Sequence, residues 1–372
     1  MLTPLSKLSK LALFTLTLVL IILVWYAVWS TKDAIDDRQL LYFAANHPLQ
    51  RVAFSPNDSF LAALDTEGFI YILSTSSNKP LNIFHQQGST AIAFNAQSGT
   101  IISGGSDGIV QMWDIQSGRE VASVKVIEPV VSNILTRGSN GELQRDFEGI
   151  FDIALTLDGK YLAVGGVDGQ VILVELPSLK VVHSFRSHSY RNEDLFYDVS
   201  IVNFDDSGTL LSTASDDGTI NVWSVPEGKQ VCSLKSSYGR IMSLAFSPRQ
   251  RKITTFRWPT YVDVWLVDTC HQTFEGNASL INPSSVDITG DGNRFVRSGD
   301  NLAGRMTGMP PFVGQNDTGV YFQDGVDFEN LLIFRGHELL VTDVQISNNE
   351  CFIASVSEDK TLRLWDIHDF CA

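Results

Sequence analysis

The chain has 372 residues, 44% of them apolar, with 28 glycines and only 12 prolines, so it can bury a large core and does not have the composition of a disordered protein. Forty-two acidic against 27 basic side chains leave a formal charge of −15, which repels phosphate backbones and argues against nucleic acid as a partner. Four cysteines, Cys232, Cys270, Cys351 and Cys371, are too few and too scattered for a disulfide scaffold, and none has the Cys-x-x-Cys spacing of a zinc or redox site.

The first predicted element is a membrane anchor. After a tail of residues 1–10, Leu11 to Trp29 carries no charge over 19 residues. A helix of that length, rising about 1.5 Å per residue, nearly crosses a hydrocarbon layer about 30 Å thick. Trp25, Tyr26 and Trp29 gather at the far end and Lys7 and Lys10 flank the near end. The positive-inside rule then predicts a single-pass protein with a cytoplasmic amino terminus and the bulk of the chain outside, in the periplasm if the source is bacterial. Lys32 and Arg38 beyond the segment leave the reverse orientation, with the bulk facing the cytoplasm, as the alternative. A cleaved signal peptide has an apolar region of only ~7–15 residues and a small-x-small site, for which Val28 and Ser30 are a weak match. Residues 30–38 read as a short linker.

From residue 39 onward the sequence consists of short alternating apolar runs punctuated by Gly, Asp, Ser and Asn, the pattern of many strands. Self-comparison aligns Val52–Leu73, Ile92–Trp113, Ile153–Val174, Val202–Trp223, Leu244–Trp265 and Val344–Trp365, each with the same internal spacing. The clearest units read VNFDDSGTLLSTASDDGTINVW and VQISNNECFIASVSEDKTLRLWD, with GGSDGIVQMWD close behind. These closely resemble the WD-repeat family of β-propellers. The resemblance implies one four-stranded blade per ~40–45 residues. Val286 to Phe334 supplies a degenerate further unit, so the expected fold is an all-β seven-bladed propeller over residues 39–372, preceded by the single transmembrane helix. The last unit stops after LRLWDI, and residues 39–44 are expected to provide the outer strand that closes the final blade and hides its edge.

The same resemblance implies a polar set in each blade: a His in the entering loop, a Ser or Thr on the second strand, an Asp in the next turn and a Trp on the third strand. Two units carry all four, His337, Ser355, Asp359 and Trp365, and His188, Thr213, Asp217 and Trp223. A buried indole and imidazole need partners that the hydroxyl and carboxylate supply, so the expected role is structural. A catalytic triad would need an exposed hydroxyl and an oxyanion hole. Gly104 to Gly108 satisfies G-x-S-x-G formally but leads into a strand rather than a helix. Asp287 opens DITGDG like a calcium loop, yet Ser298 stands where the bidentate Glu belongs. No catalytic, cofactor or metal residues are therefore expected.

Three long excursions, 128–149, 186–196 and 301–317, should emerge on one face of such a propeller, together with the turn bearing Arg257 and Trp258. They carry Arg145, Phe147, Tyr190, Arg191, Arg305, Met306, Met309 and Phe312, and arginine with aromatic residues is the usual make-up of an interface. The sequence thus reads as a membrane-tethered, non-catalytic scaffold that binds a protein through its long-loop face and the membrane through residues 11–29. The alternative is a propeller hydrolase or small-ligand sensor using the central channel, which would need carboxylates converging there.

Overall fold

The computed structural model describes residues 38–371 except 96–98, 138–142, 189–196, 206, 237–240, 248–250, 258–260, 278–282, 300–317 and 326–328, and gives backbone alone for 130–137, 143–148 and 277. The chain divides into two units, Met1–Asp37 and Arg38–Ala372, of which only the second is described. The expected transmembrane helix over 11–29 thus lies outside the described residues. Among those described, no helix is long and apolar enough to cross a membrane.

Among the described residues, the strands of the second unit form seven four-stranded antiparallel sheets and one two-stranded sheet. The seven inner strands are Leu49–Phe54, Ser89–Phe94, Ile150–Leu155, Val199–Phe204, Ile241–Ser247, Val286–Ile288 and Val341–Ile346, numbered here as blades one to seven. In blades one to six the strands follow chain order from the inside outward. Blade seven differs, because its outer strand is Gln39–Ala44, paired antiparallel with Thr361–Asp366. The excursion into blade three is partly regular: Val130–Arg137 pairs with Leu143–Glu148 as a hairpin.

Burial follows strand position. Leu210–Ser215, the second strand of blade four, is buried at every residue, whereas Gln230–Lys235, its outer strand, alternates exposed and buried. A strand flanked by two neighbouring blades must be apolar or hydrogen-bonded on both faces, while an outer strand has one face in water. The core accordingly lies between blades. Leu41, Leu49, Val52, Leu61, Tyr71, Ala354 and Leu362 form one cluster that joins blade seven to blade one. Six of the seven inner strands carry a register shift at their first residues, as between Leu49 and Arg51 or Val341 and Asp343. Such bulges increase local twist, which a blade needs in order to fan outward.

The turns use a repeated device. Ser55 Oγ donates to Asn57 Oδ1 at 2.8 Å and accepts the Phe60 N–H at 2.9 Å, and Thr156 with Asp158, Thr289 with Asp291 and Ser347 with Asn349 repeat the hydroxyl-to-side-chain bond. The DITGDG stretch is therefore a strand-connecting turn of this kind. Gly68, at φ +88°, shows why glycine ends the next turn: a Cβ there would sit 2.1 Å from the Gln86 carbonyl oxygen.

The ring closes through several bonds at once. Arg38 reaches Asp369 at 2.8 Å, Arg294 Nη1 donates to the Phe370 carbonyl at 2.6 Å, and Phe370 meets Phe322 edge-on. Asp58 in blade one accepts three bonds at 2.9 Å from the backbone and side chain of Asn348 and the backbone of Asn349 in blade seven.

Candidate functional site

In blade seven, Trp365 Nε1 donates to Ser355 Oγ at 2.9 Å, and Ser355 Oγ lies 2.7 Å from His337 Nε2. His337 Nδ1 lies 3.0 Å from Asp359 Oδ2. That carboxylate also accepts the N–H groups of Glu338 and Thr361 and the Thr361 hydroxyl at 2.6–2.9 Å. Burial alone would raise its pKa, but the His337 bond and charge, with Thr361 and the Glu338 N–H, hold it well below the usual carboxylate range. Blade four repeats the arrangement with a relay. Trp223 Nε1 donates to Thr213 Oγ1 at 3.1 Å, His188 Nε2 lies 3.0 Å from the same hydroxyl, and His188 Nδ1 reaches Thr219, which donates to Asp217. Ser355 and Thr213 are fully buried and already bonded on both sides, so neither is placed to attack a substrate.

Other blades make equivalent connections with different residues. In blade two Trp113 Nε1 donates to Ser103 Oγ at 2.8 Å, and Ser103 Oγ donates to Gln86 Oε1 at 2.5 Å. Gln86 thus takes the place of the absent histidine, although the neighbouring His85 is exposed. In blade six Arg297 Nε donates to Gln323 Oε1 at 2.7 Å, an arginine and an amide standing where blade seven has serine and tryptophan. In blade one Tyr71 donates to Asp65 at 2.9 Å, and burial followed by that carboxylate pushes its hydroxyl up to about 12. Blade five keeps Thr255 and Trp265, but neither Thr255 Oγ1 nor Trp265 Nε1 has a hydrogen-bond partner.

The inner strands enclose a central channel of about 550 Å³, lined by Arg51, Asn203, Asp152, Asp287, Asp343 and Gln345 among others. Three carboxylates therefore do converge on it, as the enzyme reading requires. Each is also tied to the next blade: Asp152 accepts the Val202 N–H at 2.9 Å, Asp287 that of Ile346 at 2.8 Å and Asp343 that of Val52 at 2.9 Å. Burial pushes Asp152 and Asp287 up to about 6 and raises Asp343 as well. Sequence inspection missed this set. Its signal was a polar residue at alternate positions of the inner strands, as in FDIAL and TDVQI.

Of the expected docking residues, Trp258, Tyr190, Arg191, Arg305, Met306, Met309 and Phe312 lie outside the described residues. Arg145 and Phe147 fall in the hairpin, opposite Leu135 and Val131. Arg257 is not available to a partner. It is 2% exposed, its Nε donates to Asp263 at 2.6 Å, it also pairs with Glu275, and it lies over the Tyr261 ring. Its strand, Lys252–Arg257, is a second strand buried on both faces from Ile253 onward, so Arg257 is enclosed whichever face it occupies. The cysteines, expected to be too few and too scattered for a disulfide scaffold, form two disulfides, Cys232–Cys270 between blades four and five and Cys351–Cys371 within blade seven.

Residues 45–251 match the family described as nucleolar protein 10-like, N-terminal domain, and residues 328–366 match the WD domain, G-beta repeat. Mouse WD repeat and HMG-box DNA-binding protein 1 is 29% identical over 244 residues, 58% of this chain and 21% of the relative. A U3 snoRNP-associated protein-like protein of Arabidopsis thaliana is 24% identical over half of this chain and 37% of its own length, and the U3 small nucleolar RNA-associated protein 21 homolog of Schizosaccharomyces pombe is 26% identical over 51% and 17%. The chain thus spans between 17% and 37% of these relatives' own length. The findings overturn the expected placement as a single-pass membrane protein with an extracytoplasmic propeller: the matches are to a nucleolar-type domain and to U3-associated proteins, and no described helix can cross a membrane. Nor do such relatives support excluding nucleic acid from the assemblies concerned.

Proposed function

Because this chain belongs to the nucleolar protein 10-like N-terminal domain family of β-propellers, we propose that it is a non-catalytic scaffold, docking a protein partner within a larger assembly that contains RNA. One observation carries the reading: the groups that resemble reacting residues are committed to holding strands and blades together, as Ser355, Thr213 and the channel carboxylates are. A rigid closed ring with its polar chemistry turned inward acts through its surface. The docking face we assign is the one bearing the blade-entering loops and the turns between second and third strands, with Tyr190, Arg191, Trp258, Arg305 and Phe312 as anchors. The net charge of −15 supports a protein as the direct contact, with RNA held by that partner.

Photo-crosslinkers placed at residues 258 and 312 in intact cells test this. The expected capture is a protein, retained after nuclease treatment and reduced at least fivefold by Arg191→Glu with Arg305→Glu. Crosslinks made directly to RNA, or capture indifferent to both charge reversals, would refute the assigned contact.

A further inference from the structure

The carboxyl-terminal end of blade seven holds a cluster that the scaffold reading does not use. Cys351 ends the turn between the inner and second strands, and Cys371 follows the short 3-10 turn His368–Phe370. One atom of the His368 ring and the two sulfurs lie within 4.8 Å of one another. The ring is held in place: Nδ1 lies 2.5 Å from Asp366 Oδ1, and Phe352 packs edge-on at 4.8 Å. A carboxylate on one imidazole nitrogen fixes the tautomer and leaves a lone pair on the other, the arrangement in which histidine binds metals. The His368 side chain is 56% exposed and both cysteines are partly exposed, so ions and reductants can reach the cluster.

We propose that, once the Cys351–Cys371 disulfide is reduced, the two thiolates and the His368 imidazole bind a thiophilic divalent metal, zinc in the first instance, with a water molecule as fourth ligand. The exchange balances. A dithiol reductant passes two electrons and two protons to the disulfide and becomes a disulfide itself, and zinc then displaces the two thiol protons. The carboxyl-terminal turn bearing Cys371 is therefore fastened to Cys351 in either state, by a covalent bond when oxidised and by coordination when reduced. In the reduced state without metal, its end keeps non-covalent contacts such as the Arg294 bond to the Phe370 carbonyl, the Arg38–Asp369 pair, the Ile367 N–H bond to the Cys351 carbonyl and the Phe322 contact. Cys232 and Cys270 provide an internal control, since among the described residues they belong to no such grouping.

The test uses the full chain, reduced anaerobically with a dithiol that is then removed, and titrated with cobalt(II) as the probe. One cobalt per chain should bind, with a thiolate-to-cobalt charge-transfer band that zinc abolishes, and the same protein kept oxidised should bind none. The band should vanish in Cys351→Ser with Cys371→Ser, persist in Cys232→Ser with Cys270→Ser, and require on the order of tenfold more metal or beyond in His368→Ala. Because the oxidised and reduced forms of the unsubstituted chain are compared first, a variant that fails to fold does not decide the matter. No band in the reduced unsubstituted protein, a band that survives loss of Cys351 and Cys371, or unchanged affinity in His368→Ala would each overturn the site.

Discussion

Blades seven and five carry the same two signature residues, a hydroxyl on the second strand and a tryptophan on the third, and treat them in opposite ways. In blade seven Trp365 and Ser355 are bonded to each other and onward to His337 and Asp359. In blade five Trp265 Nε1 and Thr255 Oγ1 are buried without partners, and the polar connection is the ion cluster Arg257, Asp263 and Glu275, with Gln272 and Ser236 also bonded to Asp263. A repeat signature therefore preserves a shape more reliably than it preserves a bond. The tryptophan in blade five packs with Leu244, Phe246 and Ile253, and its indole nitrogen contributes nothing there.

The largest effect expected from breaking this contrast lies in blade five. Asp263→Ala would leave the fully buried Arg257 guanidinium short of its principal partner and should cost about 3–5 kcal/mol in denaturant unfolding. Replacing Arg257 and Asp263 together by Met and Leu should recover most of that loss, since neither charge is then stranded. Asp359→Ala in blade seven comes next, at roughly 1–3 kcal/mol, because the His337, Glu338 and Thr361 donors lose their acceptor.

A matched pair of substitutions sharpens the comparison further. Trp365→Phe should destabilise by about 1–2 kcal/mol, whereas Trp265→Phe removes an unpaired N–H and should fall within ~0.5 kcal/mol of the parent or raise stability. Equal losses at the two positions would mean that packing alone sets the value of the tryptophan.

The smallest effect is a pH dependence. Asp152 and Asp287 titrate near 6 when folded and, like Asp343, are raised above their unfolded values. Their stabilising contribution is complete below pH ~4 and is lost as pH rises through 6. Asp359 and Asp217 are lowered, so theirs is present above pH ~4 and is lost as pH falls further. Thermal unfolding should therefore show a maximum near pH 4, with Tm a few degrees (about 2–4 °C) above its value at pH 7.5. Asp152→Asn, which can still accept the Val202 N–H, should shrink that difference.

Blade number and the spacing within each unit were legible because strand alternation and turn residues repeat along the chain. The His337 and His188 networks were legible through the resemblance. Gln86 was not, because an amide replacing an imidazole leaves no pattern to match. Arg257 was misread for a different reason: an arginine next to a turn looks exposed, but it ends a second strand buried on both faces and is paired there with Asp263. The channel carboxylates escaped notice because the three aspartates come from blades three, six and seven, far apart in sequence and adjacent only around the axis. The Cys232–Cys270 disulfide was missed because spacing says nothing about which parts of neighbouring blades approach one another, whereas Cys351 and Cys371 fall in one repeat unit, where a pairing was open from the sequence.

The seam has a consequence for biosynthesis. Arg38 bonds a carbonyl 328 positions further along, and Gln39–Ala44 has no β partner until Thr361–Asp366 has been made. On a ribosome, six blades can emerge and begin to form while the strand Gln39–Ala44, with Leu41 and Phe43 destined for burial, waits for the third strand of blade seven. Nascent chains stalled before codon 361 should therefore depend on a chaperone in a way that chains released after the last strand do not.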